Sequence, residues 1–144
     1  MMATTSDQAP DAPLPVTPDR RALWAGRALT VLVLLFLVFD VTIKLLALPV
    51  VSATLAQLGW PNDVGSARTL GVILLISAVL YAVPRTAILG AILLTVYLGG
   101  AVATHARIGS PLFSHTLFGV YLGLMVWGGL WLRDPRVRAL LPMN

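Results

Sequence analysis

The sequence predicts an all-α fold, an integral membrane four-helix bundle, from its composition and from four long apolar stretches. The chain of 144 residues is 58% hydrophobic and only 11% charged, with a mean hydropathy of +0.87. Ordinary soluble domains carry far more charge, so this chain needs lipid as its solvent. Each stretch approaches the roughly 20 residues that a helix needs to cross about 30 Å of hydrocarbon. The predicted spans are about 25–48, 66–83, 86–104 and 112–132.

The first 19 residues differ in composition from the rest of the chain. They contain four prolines among alanine, threonine and aspartate, and such a segment cannot bury enough apolar surface to offset its chain entropy. We therefore expect a disordered cytoplasmic tail at 1–19 and one transmembrane domain at 20–141.

The segment between the first two spans predicts a short interfacial helix over 49–58. Pro49 suits the first turn of a helix and Gly59 suits the position just after one. The apolar residues between them fall on one narrow face. A helix of this kind lies on the membrane surface between two spans.

Two further local patterns connect the spans. Asn62 or Asp63 can cap the second span, because both side chains accept hydrogen bonds from the first turn of a helix. Pro84 and Arg85 predict a very tight hairpin between the second and third spans.

The basic residues near the helix ends predict the orientation, because lysine and arginine resist translocation across the membrane. One side has seven of them: Arg20, Arg21, Arg27, Arg85, Arg133, Arg136 and Arg138. The other side has three: Lys44, Arg68 and Arg107. This asymmetry places both termini in the cytoplasm.

Small residues on the last two spans predict how the bundle packs. A stripe with a period of four residues runs along the third span, formed by Ala87, Ala91, Thr95, Gly99 and Ala103. Gly119 and Gly123 form a shorter stripe on the fourth span. Small side chains let helix backbones approach closely in lipid. The partner is another helix of the same chain or, as the alternative, a second copy in a homo-oligomer.

Asp40 and Lys44 are the most informative polar residues inside a span. They lie four residues apart on one helix face, with the acid before the base, as helical ion pairs prefer. Ionisable residues within the membrane are costly and mark ion, proton or substrate paths. The alternative is that Lys44 reaches the headgroups while pairing with Asp40.

More polar residues collect on the same side of the membrane as this pair. They are Arg68, His105, Arg107 and His115, and with Asp40 and Lys44 they form a candidate polar cluster. A quinone headgroup needs such a donor beside an apolar channel between helices. His105 and His115 are alternatively candidate ligands of a b-type haem.

Several classes of function are excluded or disfavoured. The chain has no cysteine, which excludes disulfides, thiol catalysis, covalent haem and cysteine-ligated clusters. The arginines do not gather on one soluble surface, so no nucleic-acid partner is predicted. No metal-binding spacing, phosphate loop or Ser-His-Asp arrangement occurs in a supporting context. The chain is not expected to be a self-contained enzyme.

Two stretches resemble a known family: 84–109, which contains YLGGAVATHARIG, and 112–134, LFSHTLFGVYLGLMVWGGLWLRD. They resemble the DoxX-like family of small bacterial four-helix membrane proteins, and the resemblance extends over roughly 25–141. It implies a bundle in the bacterial inner membrane. Many relatives carry an acidic residue in the second helix where this sequence has Leu74, so an acid–base network through that helix is not implied.

The resemblance also implies a link to quinone chemistry, because the wider DoxX group takes its name from a membrane subunit of quinone-linked sulfur oxidation. We expect an accessory or redox-associated subunit, with a quinone as its candidate cofactor and a membrane oxidoreductase as its candidate partner. One alternative is a small proton-coupled exporter that works as a dimer and uses Asp40 as its protonatable group. Another is a purely structural membrane protein.

Overall fold

The computed structural model describes residues 20–61 and 63–140, and these form six α-helices and one π-helical turn. The long helices are α1 (Arg20–Leu45), α3 (Val64–Ala82), α4 (Ala87–Arg107) and α5 (Phe118–Arg133). The short ones are α2 (Pro49–Gln57) and α6 (Pro135–Leu140), and a π-helical turn (Leu112–Thr116) comes directly before α5. The described residues contain no strand. The predicted tail lies outside them.

Four helical segments are long and apolar enough to cross a membrane. They are Arg20–Leu45, Val64–Ala82, Ala87–Arg107 and Leu112–Arg133, the last including the π-helical turn. Each overlaps one of the four predicted spans, which confirms the prediction of a four-helix, multi-pass membrane protein. The helix between the first two spans is present as α2, while its position on the membrane surface stays a prediction.

Helix α1 ends earlier than predicted, at Leu45 instead of 48. Ala47 takes a left-handed conformation with φ of 51°. Leu48 is extended, because the ring of Pro49 disfavours the helical region for the residue before it. The Leu48 N–H donates to the Ile43 carbonyl at 3.1 Å, and this backbone bond closes the helix end without a glycine.

The four long helices form a ring in which each packs on two neighbours. Helix α1 packs on α3 and α5, and α4 packs on the same two helices, so α1 and α4 face each other across the ring. Tyr81 of α3 is fully buried inside it, and its hydroxyl donates to the Val126 carbonyl of α5 at 3.0 Å. The other large, fully buried apolar side chains among the described residues are Val33, Leu37, Leu74, Leu94, Val126, Leu130 and Val137.

Glycines allow the closest approaches between helix backbones near the end of the bundle where α5 finishes at Arg133. A Cβ added to Gly90 would lie 2.2 Å from the Tyr81 backbone nitrogen, so α4 and α3 touch there through their backbones. A Cβ added to Gly26 would lie 2.9 Å from the Gly129 carbonyl oxygen, which brings α1 and α5 together. In lipid such close packing replaces the hydrophobic effect as a source of helix association.

Gly119 and Gly123 face α4 from the neighbouring helix α5. A Cβ on Gly119 would lie 3.1 Å from the Leu98 carbonyl oxygen, whereas one on Gly123 would meet only the Leu98 side chain at 4.0 Å. Gly119 therefore allows a close approach of the two backbones, and Gly123 does so much less.

The stripe of small residues on α4 turns away from the rest of the bundle along its length. Ala87 and Ala91 are buried in the core, but Thr95, Gly99 and Ala103 are exposed on the bundle surface. Residues four apart are separated by about 400° around a helix of 3.6 residues per turn, so such a stripe rotates by about 40° at each step. Intramolecular packing accounts for the first two positions of the stripe.

Asp63 caps α3, one of the two residues predicted for that position. Its carboxylate accepts hydrogen bonds from the Ser66 backbone N–H at 2.7 Å and from the Ser66 hydroxyl at 2.8 Å. These bonds favour the charged form and hold the pKa of the Asp63 carboxyl below its usual value. The other predicted residue, Asn62, lies outside the described residues.

The close contact at Gly90 predicts a specific cost for a larger residue. Gly90→Ala should lower the free energy of unfolding by about 1–3 kcal/mol, since the added methyl group meets backbone atoms of Tyr81 that cannot rotate away. Thermal unfolding in detergent micelles measures this. The matched control is Gly99→Ala on the same helix, where a Cβ meets nothing within 4 Å. Equal effects of the two substitutions would contradict the packing described for Gly90.

Candidate functional site

A cavity of about 560 Å³ lies at one end of the bundle, near the last turn of α1. We call this end, where α1 and α4 finish and α3 and α5 begin, the Lys44 end. Helices α1 to α5 and the π-helical turn all contribute to the lining of the cavity. The lining is mainly apolar, and the volume lies within the roughly 300–1,000 Å³ that is usual for small-molecule sites.

Asp40 and Lys44 lie on the α1 wall of this cavity and form an ion pair. The Lys44 ammonium donates a hydrogen bond to the Asp40 carboxylate one turn earlier. The two side chains remain only 16% and 20% exposed, for Lys44 and Asp40 respectively. Each charge is neutralised by the other, so the α1 wall is polar but carries no net charge.

Tyr97 of α4 lines the same cavity and did not figure in the sequence analysis. Its ring packs against the hydrophobic core. No residue of the described chain forms a hydrogen bond with its hydroxyl. No signal in the sequence identifies Tyr97, because an aromatic residue in an apolar span does not indicate which neighbouring helix it faces.

His105 and His115 lie next to each other beside the same cavity. Their ring centroids are 5.8 Å apart, and the ring planes are inclined by 56°. Nδ1 of His105 lies 3.0 Å from the Ser110 hydroxyl, and Nδ1 of His115 lies 2.8 Å from the Ser114 hydroxyl. These contacts do not test the haem hypothesis. Among the described residues, no group of three or more His, Cys, Asp or Glu side chains is placed to hold a metal ion.

Arg68 and Arg107 do not line the cavity. The Arg68 Nε donates to the Leu45 carbonyl at 3.3 Å, and Arg107 Nη2 donates to the Leu58 carbonyl at 2.6 Å. Both guanidinium groups thus bind carbonyls at the ends of α1 and α2, which a helix leaves without intrahelical partners. The candidate polar cluster is divided into four residues on the cavity and two at helix ends.

Gly59 makes room for the second of these arginines. It has a positive φ of 74°, and a Cβ at this position would lie 2.9 Å from Arg107 Nη2. A larger residue would strain the backbone and displace the guanidinium group. Together Gly59 and Arg107 hold the end of α2 beside the end of α4.

Helix α2 forms the remaining wall of the cavity. Val51 and Leu55 are buried against Ala67 of α3, and both also line the cavity. From α3, Leu70 and the fully buried Leu74 complete an apolar wall. No acidic side chain faces the cavity from this part of α3.

A family comparison covers all of these elements. The model of the DoxX-like family matches residues 28–129, which is more than half of the chain. The chain belongs to the DoxX-like family. The match includes most of α1 and α5 and the whole of α2, α3 and α4, and therefore every element that lines the cavity in this DoxX-like protein. No curated protein and no solved structure matches the chain.

The ion pair in the cavity predicts that removing one of its two charges lowers the stability more than removing both. Asp40→Asn should lower the free energy of unfolding by about 1–3 kcal/mol, because Lys44 would remain charged and largely buried without a partner. The expected cost is below that of a fully buried pair because about a fifth of each side chain is exposed. Thermal unfolding in detergent measures the change.

The matched control for this prediction is the double variant Asp40→Asn with Lys44→Met. Removing the cation as well should restore most of the lost stability, since no unpaired charge remains. A double variant that is no more stable than Asp40→Asn would show that the pair is not the cause.

Proposed function

We propose that this DoxX-like protein binds the headgroup of a quinone in the cavity and serves as an accessory subunit of a membrane oxidoreductase. One observation carries the proposal: a single apolar chamber holds an ion pair, a phenol and two imidazoles among side chains that are otherwise mostly apolar. A quinone has the same division, with a polar ring and an apolar tail. Pockets of this composition use a few polar groups to orient an apolar ligand.

The charges around the cavity favour a neutral ligand. Asp40 and Lys44 neutralise each other, and Arg68 and Arg107 bind backbone carbonyls at helix ends. A free anion or cation would have to compete with an existing partner in a medium of low dielectric constant. The carbonyl oxygens of a quinone only require hydrogen-bond donors. Tyr97 can supply one, and His105 can supply another in the tautomer whose Nδ1 accepts from the Ser110 hydroxyl and whose Nε2 carries the hydrogen.

The composition of the chain supports an accessory role. Without cysteine, the chain cannot hold an iron–sulfur cluster through thiolates or a covalently attached haem. Electrons for a bound quinone would then come from a partner that carries its own redox group. The contribution of the DoxX-like protein is to bind and orient the headgroup within the membrane.

The alternative of a proton-coupled exporter is favoured by the position of Asp40, a mostly buried carboxylate on the wall of a cavity. Such an acid would have to exchange a proton for a substrate during each cycle. Retention of quinone that depends on Tyr97 and His105 would favour the first proposal. Transport that depends on Asp40 and occurs without any quinone would favour the exporter.

We also propose that the protein lies in the bacterial cytoplasmic membrane with both termini inside. The excess of arginine at the end of the bundle opposite to Lys44 supports this orientation. A phosphatase fused after Asn144, which is active only outside, should then be inactive, and a green fluorescent protein at the same place should fluoresce. The control is the same pair of fusions after Gly109, where both results should reverse. An active phosphatase after Asn144 would overturn the orientation.

Quinone binding is tested by the lipids that accompany the purified protein. After purification in a mild detergent, mass spectrometry should detect quinone close to one equivalent per chain. Tyr97→Phe and His105→Leu should each reduce the retained quinone about tenfold, since each removes one hydrogen bond worth about 1.4 kcal/mol.

The matched control for this test is Arg68→Gln, which changes a polar residue of the same end that does not line the cavity. It should retain quinone like the unchanged protein. An unchanged protein that holds no quinone, even after reconstitution with added quinone, would overturn the proposal.

A further inference from the structure

We propose that His105 and His115 together bind one divalent transition-metal ion, of the class that prefers imidazole ligands, beside the cavity. The inference does not depend on quinone binding. It concerns Zn²⁺, Cu²⁺ and Ni²⁺, for which neutral imidazole is a favoured ligand. The spacing of ten residues between the two histidines matches no common metal motif, so it is the fold that brings them together.

The distance between the two rings suits a shared ion. Two imidazoles that bind one ion at metal–nitrogen distances of about 2.0–2.1 Å have their ring centres roughly 5–6 Å apart. The centroids of His105 and His115 are 5.8 Å apart, and the rings are tilted by 56° instead of being stacked. Small rotations of the side chains can therefore direct one nitrogen of each ring at a common point.

Each histidine also forms a hydrogen bond through Nδ1 to a serine, and this bond fixes the orientation of the ring. Nδ1 of His105 lies 3.0 Å from the Ser110 hydroxyl, and Nδ1 of His115 lies 2.8 Å from that of Ser114. When Nδ1–H donates to serine, Nε2 keeps its lone pair for a ligand. Within residues 20–61 and 63–140, neither Nε2 has a hydrogen-bond partner.

The loop that carries these residues is closed by backbone hydrogen bonds. Gly109 turns the chain with a φ of 67°, and the Ser110 N–H donates to the His105 carbonyl at 3.0 Å. The buried Thr116 hydroxyl donates to the Ser110 carbonyl at 3.3 Å. His115 lies on the π-helical turn between them, and π-helical turns are frequent at functional sites. The two imidazoles are thus held on a short, connected scaffold.

The charges near the histidines leave room for a cation. Lys44 lines the same cavity, but its charge is neutralised by Asp40. Arg107, two residues after His105, donates to the Leu58 carbonyl at the end of α2. Two protein ligands leave at least two positions of a four-coordinate ion for water or for a ligand in the cavity.

The test uses Cu²⁺ and the full chain without a polyhistidine tag. The chain has only two histidines and no cysteine, so any bound imidazole must belong to this pair. Pulsed electron paramagnetic resonance detects the remote nitrogen of each coordinated imidazole. We expect one Cu²⁺ per chain with two imidazoles, and competition by Zn²⁺. A chain terminus that captures Cu²⁺ through its amine would give no imidazole signal.

Variants test each part of the proposal. His105→Gln and His115→Gln should each leave one coordinated imidazole and weaken Cu²⁺ binding at least tenfold. Ser110→Ala should keep both imidazoles and weaken binding about tenfold, because it removes the group that orients His105. Arg68→Gln is the control and should bind like the unchanged protein. Fewer than two imidazoles in the unchanged protein, or one ion shared by two chains, would overturn the proposal, as would normal affinity in the histidine variants of unchanged thermal stability.

Discussion

The close approach of neighbouring helix backbones is the constraint on which the rest of this bundle depends. In lipid, apolar side chains gain little by leaving the solvent, so the helices associate through close packing. Gly26, Gly90 and Gly119 allow that packing around a ring of four helices. The ring leaves α1 and α4 opposite each other. Tyr81 fills the centre toward one end, whereas at the Lys44 end the centre stays open as a cavity.

Polar residues near this cavity are stable in the bundle only when they have partners. A polar group in an apolar medium costs free energy unless it has a partner. Asp40 and Lys44 meet this requirement with each other, and Arg68 and Arg107 meet it with carbonyls at helix ends. The Tyr97 hydroxyl and the Nε2 atoms of the two histidines have no hydrogen-bond partner among the described residues. The groups able to bind a ligand are therefore those that the scaffold leaves unsatisfied.

Local features of this fold are readable from the sequence, whereas contacts between helices mostly are not. The four spans, the Asp63 cap and the pairing of Asp40 with Lys44 depend on neighbouring residues and on helical periodicity. Tyr97 was missed because an aromatic residue in an apolar span gives no sign of which neighbour it faces. The sequence analysis placed Arg68 and Arg107 in the candidate polar cluster, because the side of the membrane is predictable. The direction of a long side chain is not, and both arginines bind carbonyls at helix ends.

The ion pair on α1 also constrains any mechanism that this site can support. Asp40 and Lys44 lie one turn apart on the same helix, so rigid-body movement of one helix against another cannot separate them. An exporter that protonated Asp40 would leave Lys44 charged without a counter-ion in a medium of low dielectric constant. A neutral ligand requires no such step. For the quinone headgroup that we propose as the ligand, the pair would be a fixed polar wall of the cavity while the helices stay in place.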